Sequence, residues 1–200
     1  MAISINGNGI TSANIADGAI TNADINSSAA IDGTKISGSF GKVLQVIQTH
    51  LTARQSQSIT AFGENNISGL SASITPSSTS SRIRISVRWA GESSTVNNYD
   101  IMFGIKRGTT PVGNAAQVGS RNWGITPTQM GYHDADPAST PDSVTYDYID
   151  SPSSTSSITY IATINSKDAG TLYTCGTVSD TNSPSYERMT STIIVEEIGA

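Results

Sequence analysis

The chain has one cysteine, few aromatics and little charge: over 200 residues, aromatic positions make up 6% and charged positions 14%. A single thiol excludes an intrachain disulfide. In the run Leu172-Tyr173-Thr174-Cys175 it reads as a small buried apolar side chain. The net charge of −5 argues against nucleic-acid binding, because sequence-independent attraction to phosphates needs a basic face. No stretch reaches the ~18 consecutive apolar residues that suggest a membrane-spanning helix, so no membrane insertion is expected. The opening Met1-Ala2-Ile3-Ser4 lacks the basic-then-apolar pattern of a secretion signal, so synthesis in a cytosol is expected.

Catalytic signatures are missing as well. The two histidines, His50 and His133, lie far apart in sequence. There is no Gly-x-Ser-x-Gly elbow, phosphate-cradling Gly-Lys-Ser/Thr loop, His-Glu-x-x-His or Cys-x-x-Cys. Neither an enzyme nor a cofactor is expected. His133-Asp134-Ala135-Asp136 has ligand-type residues, but a polar turn closed by Pro137 explains the same residues, and no metal is assigned.

What is present in excess is serine and threonine, roughly a quarter of the chain and above ordinary usage, together with a beat of isoleucines. Ile10, Ile15, Ile20 and Ile25 are spaced by five, followed by Ile31 and Ile36. On a helix each step of five turns about 140° and scatters the side chains. On a straight strand an odd step flips the face. One apolar stripe therefore needs a bend in every repeat, and Asp17-Gly18, Asn22-Ala23-Asp24, Asn26-Ser27-Ser28 and Asp32-Gly33 supply turn chemistry. A lone ribbon cannot surround its own isoleucines. Two architectures fit residues 1–40: an intertwined fibre of three chains sharing an isoleucine axis, or a single-chain coil of pentapeptide type. The fibre is favoured, because six repeats close too few coils to bury a core.

Composition shifts at Gly41, and residues 41–200 read as an all-β domain. Arg82-Ile83-Arg84-Ile85-Ser86-Val87-Arg88-Trp89 alternates cleanly, with Ile83, Ile85, Val87 and Trp89 on one face. Ile101, Phe103 and Ile105 alternate likewise, as do Ile158, Tyr160, Ala162 and Ile164. Further strands are expected over 42–50, 57–62, 67–75, 129–133, 144–149, 170–175 and 190–198. Many short strands with no convincing helix predict a two-sheet sandwich, most simply a jelly roll. The arginine face of 82–88 is expected to be solvated or paired with carboxylates of a neighbouring sheet or subunit. The longest irregular stretches, Val112–Thr128 and Asp134–Asp142, are the candidate contact loops. Trp123, Tyr132, His133, Asp134 and Asp136 are the candidate receptor-contact residues within and beside them.

Two regions carry a family resemblance. Ile10-Thr11-Ser12-Ala13-Asn14-Ile15-Ala16-Asp17-Gly18-Ala19-Ile20-Thr21 resembles the shaft repeats of tailed-bacteriophage fibre proteins. The closing Arg188-Met189-Thr190-Ser191-Thr192-Ile193-Ile194-Val195-Glu196-Glu197-Ile198 is similar to the last strand of C-terminal head domains in such virion proteins. The resemblance implies a homotrimer: a thin intertwined β-repeat shaft (1–40) followed by a jelly-roll-like β-sandwich head (41–200). It implies a virion protein on the tail or capsid surface, made in the host cytoplasm. Residues 1–40 would attach it to other virion proteins, and the head would contact a host-surface glycan or protein. It implies no enzyme and no cofactor. Two rival readings follow from the same residues. One is a capsid-decorating head fibre or tail-stabilising protein without receptor binding. The other is a carbohydrate-binding or sugar-cleaving module using Trp123 and the Asp134/Asp136/Asp142 loop.

Overall fold

The structure is a computed structural model that describes residues 41–94, 100–128 and 139–199. The chain divides into two units, residues 1–38 and 39–200, and the fold below is that of the second. The six repeat isoleucines and the strand expected over 129–133 lie outside the described residues.

The described residues form eleven strands and two antiparallel sheets. The first sheet contains β1 (Val43–Leu51), β2 (Gln55–Ile59), β4 (Arg82–Ser93), β8 (Asp142–Asp150), β10 (Gly170–Thr174) and β11 (Ser191–Ile198). Its order is β1-β11-β4-β10-β2, with β8 also paired to β4. The second contains β3 (Glu64–Ile74), β5 (Ile101–Arg107), β6 (Thr110–Val112), β7 (Thr126–Pro127) and β9 (Ile158–Ser166). Its order is β3-β9-β5-β6, with β7 also paired to β5.

Period-two alternation builds the core. On β4, Ile83, Ile85, Val87 and Trp89 are buried; on β11, Ile193 and Val195 join them. The facing sheet contributes Ile67, Leu70 and Ile74 from β3, Phe103 and Ile105 from β5, and Tyr160, Ala162 and Ile164 from β9. Trp89 meets Phe103 across the gap with ring centroids 4.9 Å apart. Each buried isoleucine is worth about 1.5–3 kcal/mol, so these inner faces hold the sheets together. Cys175 is fully buried, with its thiol on the Leu51 carbonyl at 3.3 Å.

Two strands are not visible in the alternation pattern. β6 and β7 contain Pro111 and Pro127, which face Lys106 and Met102 of β5. Proline lacks the N–H a central strand needs, but short edge strands accept it.

Register gives the sandwich two distinct ends. Val43, Ile198 and Arg82 lie in line across β1, β11 and β4, and Asp150 of β8 pairs with the next residue, Ile83. Ile74 and Ile158 mark the same end of the second sheet. The chain arrives here through Lys42, whose carbonyl accepts the Gly199 N–H at 2.8 Å. At the opposite end lie the turn 60–63, the start of β5 at Ile101 and the turn after Ser166.

Buried carboxylates fasten the connections. Glu92 accepts the Thr140 N–H at 3.0 Å and the Val178 N–H at 2.6 Å. Asp150 accepts Tyr160 Oη at 2.7 Å and pairs with Arg107 at 2.8 Å. Burial, then the Asp150 carboxylate, push the Tyr160 phenol far above its usual range. Glu197 closes the end where the chain arrives.

Candidate functional site

At the opposite end, three separate segments surround a recess. The first is the turn Thr60–Gly63. Asn65 ties it: Oδ1 accepts the Thr60 N–H at 3.0 Å, and Nδ2 donates to the Gly63 carbonyl at 2.8 Å. Phe62 donates its N–H to the Ser166 carbonyl at 2.8 Å. Its φ of 52° is left-handed, an uncommon and costly conformation for a bulky residue. The ring is nonetheless 62% exposed.

The second segment is the loop 113–125, which lies on the outer face of β5 and β9. Asn114 fixes it: Oδ1 accepts the Ile105 N–H at 3.3 Å and Nδ2 donates to Glu64 at 3.1 Å. Ala115 N–H donates to the Gly124 carbonyl and Ile125 N–H to the Phe103 carbonyl. A Cβ at Gly124 would stand 2.6 Å from the Phe103 carbonyl oxygen, so only glycine lets the loop descend this far. This cover explains why Thr163 and Asn165, on the outward side of β9 by alternation, are 1% and 3% exposed. Beneath it Glu64 accepts Thr163 Oγ1 at 3.1 Å and has Lys106 Nζ at 3.7 Å. Burial raises its pKa, outweighing the opposing effects of Thr163, Lys106 and Asn114.

The third segment is Asp100 with Lys167, which pair at 3.5 Å and are both about half exposed, so the pair adds little stability. Asn122 Nδ2 donates to the Asp100 carbonyl.

The recess between them has a volume of about 510 Å³ and is walled by Phe62, Asp100, Met102, Ser120, Arg121, Asn122 and Lys167. A smaller hollow of about 110 Å³ shares Phe62, Ser120, Arg121 and Asn122 and reaches Asn165. Asn165 Oδ1 is the one buried side-chain polar atom among the described residues without a hydrogen-bond partner; its Nδ2 faces the Trp123 carbonyl at 3.5 Å. The walls offer an exposed aromatic face, two cations against one carboxylate, and amide groups. Such a set can hold a polar ring compound.

Of the expected contact residues, Trp123 is half-buried and meets the site through its backbone carbonyl, while its neighbours Ser120, Arg121 and Asn122 form the wall. Tyr132, His133, Asp134 and Asp136 lie outside the described residues. Phe62 and Asn165 were not anticipated. The one available signal was an aromatic directly before glycine in the turn Ala61-Phe62-Gly63. The arginine face stays within its own sheet: Arg84 is 3.6 Å from Asp147 and 3.5 Å from Glu196, and Arg88 donates to Thr190 Oγ1 at 2.6 Å. Tyr146 is buried, its hydroxyl on the Gly104 carbonyl at 3.2 Å. Tyr148, on the same face, lies against Gly113.

Among the described residues, no group of histidine, cysteine, aspartate and glutamate is placed to hold a metal ion, and no helix is long and apolar enough to cross a membrane. Compared with protein-family models the chain matches none, and no curated protein matches it either.

Proposed function

We propose that this chain is a bacteriophage virion structural protein, a homotrimeric tail fibre or spike whose residues 41–200 form a jelly-roll head that contacts the host surface. One observation carries the reading. Val43, Leu44, Val46 and Ile47 are 54%, 49%, 55% and 36% exposed on β1, which lies at the outer edge of its sheet. An exposed aliphatic edge strand is a site for association with another chain. It directly follows the isoleucine repeat in sequence, and in this reading further copies of the chain cover it. The recess lies at the other end, where a host surface would be met.

The strand order supports the jelly roll. The paths β1-β11-β4-β8 and β3-β9-β5-β6 alternate between sheets as two Greek keys require. In this reading residues 1–40 join other virion proteins, the chain needs no cofactor and its place is the tail or capsid surface. Three copies of a weak site give avidity without a strong single site.

Removing residues 1–40 is expected to leave a folded head and abolish its incorporation into virions, measured as copy number per particle. Particles carrying the truncated protein at normal copy number would contradict the attachment role. If particles lacking the whole protein adsorb normally yet break easily, the protein is a decoration or tail-stabilising protein instead.

A further inference from the structure

The recess and the smaller hollow beside it have features that folding does not explain. Phe62 holds a left-handed φ of 52° that glycine would adopt at no steric cost, and the fold spends this position on an exposed ring. Asn165 Oδ1 is buried without a donor, which is costly unless something supplies one. Among the described residues, the Arg121 guanidinium has no ion pair or hydrogen bond, although it walls both hollows. Lys167 is matched by Asp100, so the recess keeps one net positive charge.

These three features define a ligand. Asn165 Oδ1 needs a donor, which a sugar hydroxyl provides and a bare anion does not. Arg121 needs an anion, and its planar fork suits a carboxylate. Phe62 offers a flat apolar face to the C–H side of a ring. A volume of about 510 Å³ lies within the range of small-ligand sites. We propose that the recess, together with the smaller hollow that shares its Phe62–Arg121 wall, binds a carboxylated sugar of the hexuronic acid class, with its ring on Phe62, its carboxylate on Arg121 and a hydroxyl entering the hollow to donate to Asn165. This deepens the host-surface reading above and rests on it for its biological setting.

Saturation-transfer NMR on the full chain tests it, using a hexuronic acid trisaccharide, the matching neutral trisaccharide, a hexose 6-phosphate and inorganic phosphate. The uronate is expected to receive saturation most strongly at its ring protons and to bind about tenfold tighter than the neutral sugar or the sugar phosphate, one charge-assisted contact's worth. Phosphate should not displace it. Phe62→Gly should weaken binding about tenfold or more while leaving the melting temperature unchanged or raised, since glycine accepts this φ. Arg121→Gln should abolish the preference for acid over neutral sugar. No saturation of the uronate at millimolar concentration would overturn the proposal, as would full affinity in both variants. Equal binding of the neutral sugar or the sugar phosphate would overturn the carboxylate assignment, and displacement by phosphate would reduce the recess to a simple anion site. The fibre reading is tested separately, because the mass of the assembly and virion incorporation do not depend on Phe62 or Arg121.

Discussion

Glu197→Ala is expected to destabilise the β-domain by about 3–5 kcal/mol, because several buried neutral donors lose their shared acceptor at about 1–3 kcal/mol each. Glu197 is fully buried on the inward face of β11. One oxygen accepts the Ser77 N–H at 2.7 Å, Ser77 Oγ at 2.6 Å and Ser81 Oγ at 2.7 Å. The other accepts Gln45 Nε2 at 2.5 Å. One carboxylate thus ties β1, β11 and the β3–β4 turn together where the chain arrives, and alanine leaves those donors unmet. Glu197→Gln keeps one acceptor and should cost less, about 1–2 kcal/mol. Urea unfolding at fixed protein concentration measures both, and an alanine variant within about 1 kcal/mol of wild type would contradict the network's role.

The same group sets an acid dependence. Burial pushes the Glu197 pKa up, but the hydrogen bonds from Gln45, Ser77 and Ser81 prevail and lower it from the ordinary 4.5 to about 2. Between these values the unfolded chain binds the proton and the folded chain does not, so stability falls with falling pH. The contribution is complete above about 4.5 and lost as pH drops through about 2. The stability gap between wild type and Glu197→Ala should therefore shrink on acidification across that window.

Gly91→Ala is the second change with a large expected effect. A Cβ there would stand 2.0 Å from the Tyr173 carbonyl oxygen and 2.7 Å from Cζ2 of the Trp89 ring. Neither neighbour can yield. Tyr173 lies in β10, where the next residue, Thr174, pairs with Gly91. Trp89 is locked by its Nε1 donating to Thr174 Oγ1 at 3.0 Å. Forcing β4 and β10 apart should cost at least about 3 kcal/mol, the upper end of overpacking effects. Gly108→Ala is the control. Gly108 has φ +59° and nothing within 4 Å of the added methyl, so only the backbone penalty of about 1–2 kcal/mol applies. Similar melting temperatures for the two variants would contradict the account of the close approach at Gly91.

The central strands were legible because each carries its own record of which face is buried. Arg82 to Trp89 alternates without interruption, and β4 lies between β11 and β8. The strands with proline were not legible, since their pairing depends on lying at an edge. Glu197 shows a further limit. A glutamate in step with Ile193 and Val195 signals a need for partners, yet the partners come from Ser77 and Ser81, more than a hundred residues away. The recess is similar. Irregular sequence marked 112–128 as a contact loop, and Ser120–Asn122 do form a wall. Phe62, Asp100 and Lys167 come from other turns that only the completed sandwich brings together.

The most direct measurement is light scattering on the purified full chain, run beside residues 42–200. The full chain is expected at three times its 20.8 kDa mass, with the shared isoleucine axis and the covered β1 edge holding three copies together. A full chain that stays monomeric at every concentration would contradict the intertwined shaft and the fibre assignment with it.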